Sequence, residues 1–158
     1  MIHNDVLRSL RYLLKTDDTT LAAIIALGGS KATRQEIAAY VLHEEQEGFV
    51  RCPDRVISAF LDGLVIQRRG PREDAPPRPL ENIVTNNTII KKLRVAFELK
   101  EDDLLQLMAD TSATVSKSEL TALFRKPSHT NFRPAGDQFL RNFLRRLTER
   151  IRGGASAA

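Results

Sequence analysis

The strongest constraint on the fold is an internal repeat. Residues 4–70 align with residues 87–153 without a gap, at a constant offset of 83 positions. Identities are spread along the alignment, and Phe60-Leu61 falls on Phe143-Leu144. Repeats that stack into a solenoid need roughly three or more copies to bury a continuous core. Two copies therefore predict a duplicated module.

Each copy contains four segments in which apolar residues recur at helical spacing. The fourth segment is the most apolar, and its stripe begins at Val56 in the first copy and at Phe139 in the second. We therefore predict an all-α protein of two tandem, internally repeated helical modules, with about four helices in each.

Signals for helix ends support this fold. Asn4 and Asn87 are predicted N-caps of the first helix in each copy, because an Asn side chain can accept from a first-turn amide. Thr33-x-x-Glu36 and Ser116-x-x-Glu119 are capping boxes that predict the start of the third helix. Gly28-Gly29 predicts the end of the second helix in the first copy, since glycine adopts a left-handed backbone without steric cost.

An irregular stretch follows the third helix in each copy. Phe49 and Phe132 lie at the same position within it, and we expect each ring to be buried so that the loop stays attached to the core. Asp54 and Asp137 precede the fourth helix, where we expect them to cap the helix or to compensate its dipole.

The predicted organisation has four parts. The N-terminal module covers residues 1–70 and the C-terminal module covers residues 87–153. Four prolines in residues 71–86 disfavour a regular helix and predict a Pro-rich, extended link. Residues 154–158 are a predicted disordered tail.

The net charge of +4 is unevenly distributed. Residues 4–70 hold nine Lys/Arg and nine Asp/Glu, whereas residues 87–153 hold thirteen Lys/Arg and eight Asp/Glu. A basic half of this kind favours an anionic partner, either a nucleic acid or an acidic protein surface.

Composition excludes several classes of protein. The one cysteine, Cys52, cannot form an internal disulfide or a cysteine-rich metal site. Because no apolar run approaches the ~20 residues of a membrane helix and the N-terminus resembles no export signal, we expect a cytoplasmic protein without membrane contact. No nucleophile–base pair, metal cluster or nucleotide loop can be assembled, so we expect no enzyme activity, no cofactor and no metal.

The segment from Leu93 to Leu104 resembles the opening of Cro/repressor-type helix-turn-helix domains, in which the third helix lies in the major groove. A helix-turn-helix joins its helices by a turn of about 3–4 residues. Here the five residues from Gly28 to Ala32 separate the second helix from the Thr33 cap, and the second copy is predicted to be equally long. The turn therefore departs from the standard motif.

On this resemblance, a nucleic-acid surface would lie on the third helix of the basic copy, with phosphate contacts from neighbouring helices. The candidate residues are Lys91, Lys92, Arg94, Lys117, Ser118, Thr121, Arg125, Lys126, Arg133, Arg141 and Arg145. The alternative is an adaptor or scaffold that binds an acidic protein partner.

The whole chain resembles a known family. Glu47-Gly48-Phe49-Val50-Arg51-Cys52-Pro53-Asp54, Phe60-Leu61-Asp62-Gly63-Leu64 and Gly136-Asp137-Gln138-Phe139-Leu140-Arg141 are similar to segments of the YehS-like family of uncharacterised bacterial proteins. That family contains a duplicated domain of unknown function. The resemblance implies a bacterial cytoplasmic protein with no catalytic residues to carry over.

Overall fold

The computed structural model describes residues 1–72 and 76–153, and in that part the chain forms eight α-helices and no β-strand. The helices are α1 (His3–Leu13), α2 (Asp18–Leu27), α3 (Arg34–Tyr40), α4 (Asp54–Arg69), α5 (Asn86–Ala96), α6 (Glu101–Met108), α7 (Lys117–Leu123) and α8 (Asp137–Thr148). A π-helical turn, Glu149–Gly153, follows α8. The predicted all-α repeat is confirmed, and the predicted tail at 154–158 lies outside the described residues.

The chain forms two compact units, Met1–Val84 and the residues from Thr85 onward, which are called the N-terminal and the C-terminal module below. Helices α1 and α5 cover the same repeat positions, as do α3 and α7. Lys15 (φ 52°) and Glu98 (φ 54°) both adopt the left-handed backbone after the first helix of their module. The repeat therefore extends to the details of the backbone.

The fourth helix forms the centre of each core, as predicted. Phe60 in α4 and Phe143 in α8 are completely buried. Each contributes on the order of 2 kcal/mol through the apolar area removed from water. The other residues of the predicted stripes are also buried, namely Val56, Ile57, Leu61, Leu64, Phe139, Leu140, Leu144 and Leu147.

Helices α2 and α4 cross at two glycines. A methyl group added at Gly28 would lie 1.7 Å from the carbonyl oxygen of Ala59, and one added at Gly63 would lie 1.8 Å from that of Ile24. The predicted helix end at Gly28-Gly29 is confirmed, because α2 ends at Leu27 and Gly28 is its C-cap, with a right-handed backbone (φ −80°). The left-handed residue is Gly29 (φ +98°), and Gly28 serves the close approach of two helices instead.

The connection between the second and third helices differs between the modules. It covers residues 28–33 in the N-terminal module and residues 109–116 in the C-terminal module, because α6 ends two repeat positions earlier than α2. Asp110 there adopts a left-handed backbone (φ 61°). The prediction of equal length is therefore wrong, and the C-terminal connection departs further from a helix-turn-helix.

The predicted N-caps of the first helices are also wrong. The caps are Ile2 and Thr85, and the Thr85 hydroxyl accepts from the Thr88 amide at 3.2 Å. Asn4 and Asn87 are the second residues of their helices, and their side chains point to other partners, described below. Both predicted capping boxes of the third helices are confirmed.

The fourth helices begin at the predicted carboxylates. Asp54 and Asp137 are the first helical residues, and the caps before them are Pro53 and Gly136. Dipole compensation is thus the correct one of the two predicted roles. None of the helices in residues 1–72 and 76–153 is long and apolar enough to cross a membrane.

Candidate nucleic-acid interface

A buried asparagine fixes the loop that follows α3. Asn4 Nδ2 donates to the carbonyl oxygens of Tyr40 (2.9 Å) and Val50 (2.8 Å). Its Oδ1 accepts from the Cys52 amide at 3.0 Å. One side chain therefore ties the start of α1 to both ends of the loop. Phe49, the predicted anchor, is only half-buried, and the Asn4 amide attaches the loop as well.

The C-terminal module repeats this arrangement atom for atom. Asn87 Nδ2 donates to the carbonyl oxygens of Leu123 (2.9 Å) and Arg133 (2.9 Å), and Oδ1 accepts from the Ala135 amide (2.8 Å). Phe132 is again half-buried. The bridge holds the loop of residues 124–136 beside α7, which places Arg133 close to that helix.

Basic and hydroxyl side chains cover the outer side of α7. Lys117, Ser118 and Thr121 are exposed, and their spacing puts them on one side of the helix. Arg125, half-buried, and Lys126, exposed, follow directly. We call these five residues, together with Arg133, the α7 surface. Across the described part of the chain, no carboxylate pairs with Lys117, Arg125 or Lys126.

Arg133 is the exception on this surface. Its guanidinium pairs with the Glu119 carboxylate in the first turn of α7. The Ser116 amide, the Ser116 hydroxyl and then Arg133 lower the pKa of Glu119, since each stabilises the carboxylate. Arg133 therefore helps to position α7, and its charge is partly neutralised.

Three predicted residues lie on α5, and one of them has a structural role. Arg94 donates from Nε to the Leu99 carbonyl at 3.1 Å, and its guanidinium lies 4.6 Å from the centre of the Phe124 ring. This cation–π contact and hydrogen bond occupy the side chain. Lys92 is half-buried and Lys91 is exposed.

Arg141 and Arg145 lie on another helix, α8, and are exposed. Arg141 Nη1 is 3.4 Å from Gln138 Oε1. Arg145 is 3.3 Å from Asn142 Oδ1 and 3.8 Å from Glu149 Oε1. Exposed pairs of this length contribute less than about 1 kcal/mol, so both arginines can exchange these contacts for a ligand.

The corresponding surface of the N-terminal module has the opposite charge. Residues 33–50 carry one Arg and four Glu, a net charge of −3. The equivalent residues 116–133 carry four Lys/Arg and one Glu, a net charge of +3. Because the backbone path is the same, the difference lies in the side chains alone.

A second candidate site lies around Cys52, His3 and Asp54, which line a cavity of about 360 Å³. The thiol and the histidine are far apart in the chain, so no local motif joins them. His3 Nε2 lies 3.1 Å from Asp54 Oδ1, and Cys52 Sγ donates to the Pro53 carbonyl at 3.7 Å. Burial, and then the nearby Asp54 charge, raise the pKa of Cys52 to about 12. This thiol is therefore not an activated nucleophile.

No group of three or more His, Cys, Asp or Glu side chains in the described residues could hold a metal ion.

Comparison with known proteins places the chain in a family. Residues 3–70 and again residues 86–153 match DUF1456, a family described as proteins of unknown function. The chain is similar to the uncharacterized protein YehS of Escherichia coli (strain K12), with 49% identity over 150 residues that cover 95% of this chain and 96% of YehS. The chain therefore belongs to this family, as its sequence resemblance predicted. No solved structure matches it.

Proposed function

We propose that this protein binds nucleic acid without catalysis, through the α7 surface of its C-terminal module. The observation that carries the proposal is the set of cations at Lys117, Arg125 and Lys126, which have no carboxylate partner in the described part of the chain. Unpaired cations on one surface attract a polyanion and release its counterions on binding. The acidic equivalent surface of the N-terminal module restricts this role to the C-terminal copy.

The proposed contact is to phosphate and not to base edges. The connection of residues 109–116 is longer than the turn of about 3–4 residues in a helix-turn-helix, so it does not favour the standard presentation of α7 to a major groove. The Thr121 hydroxyl donates to the Lys117 carbonyl, which also disfavours direct readout. We therefore expect weak sequence preference and binding to either DNA or RNA.

Salt dependence tests the proposal quantitatively. Full-length protein is titrated against labelled duplex DNA and structured RNA, and binding is followed by fluorescence anisotropy at about 50 mM and about 200 mM salt. Three neutralised phosphates give a slope near −2.7 on logarithmic axes, so the affinity falls about 40-fold between these concentrations. No binding at the lower salt concentration would refute the proposal.

A charge-reversal pair locates the surface. Lys117→Glu/Arg125→Glu/Lys126→Glu should abolish measurable binding. Lys31→Glu/Arg34→Glu/Arg51→Glu changes exposed residues of the N-terminal module by the same net charge and should retain most of the affinity. Equal losses in both variants would mean that net charge, and not the α7 surface, causes binding.

A second candidate function is an adaptor for an acidic protein. The exposed arginines of α8 favour this function. They lie on a different helix from the α7 surface, so their charge is available to an acidic partner.

A further inference from the structure

The N-terminal module carries an acidic turn directly after its third helix. The turn contains Glu44, Glu45 and Glu47, and all three side chains are exposed. No cation pairs with these three carboxylates across the described part of the chain. We call the three glutamates, together with Val50, the α3 surface. It occupies the repeat positions of residues 127–133 in the C-terminal module.

Hydrogen bonds hold this turn in one shape. The Gln46 amide donates to the His43 carbonyl at 3.0 Å, and the Phe49 amide donates to the Gln46 carbonyl at 3.2 Å. Gln46 Oε1 also accepts from the His43 amide at 2.7 Å. A partner therefore meets carboxylates on a backbone that is already ordered, which lowers the entropic cost of binding.

An exposed apolar side chain lies next to the turn. Val50 is 50% exposed, although its amide donates to the Ala39 carbonyl at 3.3 Å and its carbonyl accepts from Asn4. The backbone at Val50 is thus fixed while its side chain remains in contact with solvent. Apolar residues with a polar rim are typical of surfaces through which proteins bind each other.

The carboxylate at the start of α4 is, in contrast, occupied by the chain itself. Asp54 Oδ2 accepts from the Val84 amide at 2.8 Å, and the Glu81 amide donates to Ser58 Oγ at 3.0 Å. Residues 81–84 therefore run along α4. Asp54 is not available to a partner, unlike the three glutamates of the α3 surface.

The α3 surface and the α7 surface are complementary in charge. The first has three unpaired carboxylates, and the second has three unpaired cations, Lys117, Arg125 and Lys126. The two equivalent ranges described above carry net charges of −3 and +3. Every copy of the chain has both surfaces, so a second copy supplies the opposite charge at equal concentration. Two α3 surfaces or two α7 surfaces would repel each other, which favours contact between unlike surfaces.

We propose that the α7 surface is a docking site for the α3 surface of a second copy of this chain. The contact is heterologous, because different surfaces of the two copies meet. The aliphatic stems of the lysines and the arginine cover Val50, and their charged ends reach the glutamates. This contact needs no nucleic acid and does not depend on the proposed function. Nucleic acid and the second copy compete for the same three cations.

Sedimentation of the full-length protein tests the self-association. At about 50 mM salt, the average mass should rise above the 17.7 kDa of the monomer as the protein concentration approaches about 1 mM, because several exposed ion pairs together give weak association. At about 500 mM salt, the association constant should fall at least about tenfold, since salt screens exposed charges. A mass that stays at the monomer value at about 1 mM protein and low salt would overturn the proposal.

A charge swap assigns the contact to the two surfaces. Two triple variants each reverse one surface, namely E44K/E45K/E47K and K117E/R125E/K126E. Each should weaken self-association at least about tenfold, because both surfaces then have the same sign. Combined in one chain, the two sets of changes cancel and keep the net charge of +4, so association should return to within about threefold of wild type. A combined variant that associates as weakly as the triple variants would contradict the contact.

Two further measurements separate the contact from misfolding and from nucleic-acid binding. In the wild-type protein, NMR amide signals of residues 43–50 and 117–133 should shift with protein concentration, and shifts confined to other residues would refute the contact without any variant. The E44K/E45K/E47K variant keeps the α7 surface and should bind labelled duplex DNA at least as tightly as wild type. DNA binding by a wild-type protein that stays monomeric refutes only this contact. Self-association without DNA binding refutes only the proposed function.

Discussion

The two modules share the same order of four helices but hold their second and fourth helices together in different ways. In the N-terminal module, Gly28 and Gly63 bring the backbones of α2 and α4 into direct contact. The repeat positions of these glycines are Thr111 and Arg146 in the C-terminal module. Side chains of this size exclude the same close approach.

Polar side chains bridge α8 to the end of α6 instead. Asn142 Nδ2 donates to Ser112 Oγ at 3.1 Å, and Arg146 Nη1 donates to the Ala109 carbonyl at 3.4 Å. The N-terminal module thus relies on close backbone packing, whereas the C-terminal module uses longer polar contacts and carries arginines on its fourth helix. One fold therefore accommodates both a closely packed copy and a charged copy.

Gly63→Ala should give the largest difference between the modules. Alanine normally stabilises a helix interior by about 1 kcal/mol relative to glycine. Here the new methyl group would overlap the Ile24 carbonyl, so we expect a loss of about 3–5 kcal/mol from the N-terminal module. Arg146→Ala at the equivalent position should cost about 1 kcal/mol or less. Urea unfolding followed by NMR signals of each module measures both values, and a stabilising Gly63→Ala would refute the close crossing.

Removal of the asparagine bridges should affect both modules, to different extents. Asn4→Ala leaves two carbonyls and one amide without partners at a completely buried position, and should cost about 2–4 kcal/mol. Asn87 is half-buried, so water can replace part of its contacts and Asn87→Ala should cost about 1–2 kcal/mol.

Hydrogen exchange at the Cys52 and Ala135 amides reports on each bridge directly. Protection of the Cys52 amide in Asn4→Ala at the wild-type level would contradict the structural role of the bridge. Asn4→Asp keeps the acceptor for Cys52 but places a buried carboxylate oxygen beside the carbonyls of Tyr40 and Val50, so it should destabilise the module at least as much as Asn4→Ala.

The reactivity of a thiol at one repeat position, Cys52 in the N-terminal module and Ala135 in the C-terminal module, should differ between the modules. With its pKa raised to about 12, Cys52 should react with an alkylating reagent at neutral pH on the order of a thousandfold more slowly than a free cysteine. Cys52→Ala introduces the residue of the C-terminal module and should cost about 1 kcal/mol. Ala135→Cys in that background places a thiol at a half-buried position. This thiol should react faster than native Cys52. Rapid modification of native Cys52 would contradict its burial.

The smallest predicted effect concerns acid stability. The folded pKa of Glu119 is lowered, so its stabilising contribution is present above the unfolded value of about 4.3 and is lost as the pH falls through the folded value. Glu119→Gln should therefore make the stability of the C-terminal module less dependent on pH in this acidic range. An NMR titration in which Glu119 has an ordinary pKa, unchanged in Ser116→Ala, would refute the capping interaction.

Local patterns in the sequence predict the helices well, and long-range contacts explain where they fail. The capping boxes span three residues and can be recognised directly. The pattern at Asn4 indicates a cap. That prediction is wrong because the actual partners of Asn4 lie 36 to 48 residues away and leave no local signal. The pattern at Gly28 indicates only a residue at a helix end. It does not reveal the contact with Ala59, because that contact forms only when two helices cross. The sequence does contain a signal for this helix crossing. Gly28 and Gly63 occur together in one copy, and neither glycine is present in the other.

The sequence also predicts only part of the candidate surface. Charge counting identifies the basic module, but it does not show which cations have partners. Arg94 is occupied by Phe124, thirty positions later in the chain, and Arg133 pairs with Glu119, fourteen positions earlier. Lys117 has no such partner in the described residues and stays a candidate. Only the folded chain separates these cases.

The segment that contacts α4 has a consequence for synthesis on the ribosome. The chain emerges N-terminus first, so α4 is complete before residues 81–84 appear. Until Val84 leaves the ribosome, Asp54 and Ser58 lack the two backbone donors that they have in the finished fold. A nascent chain with only the residues up to Gly70 outside the ribosome would therefore have all four helices of its first module and still be unfinished. The join between the modules therefore completes the first module, and it leaves the ribosome before the helices of the second module do.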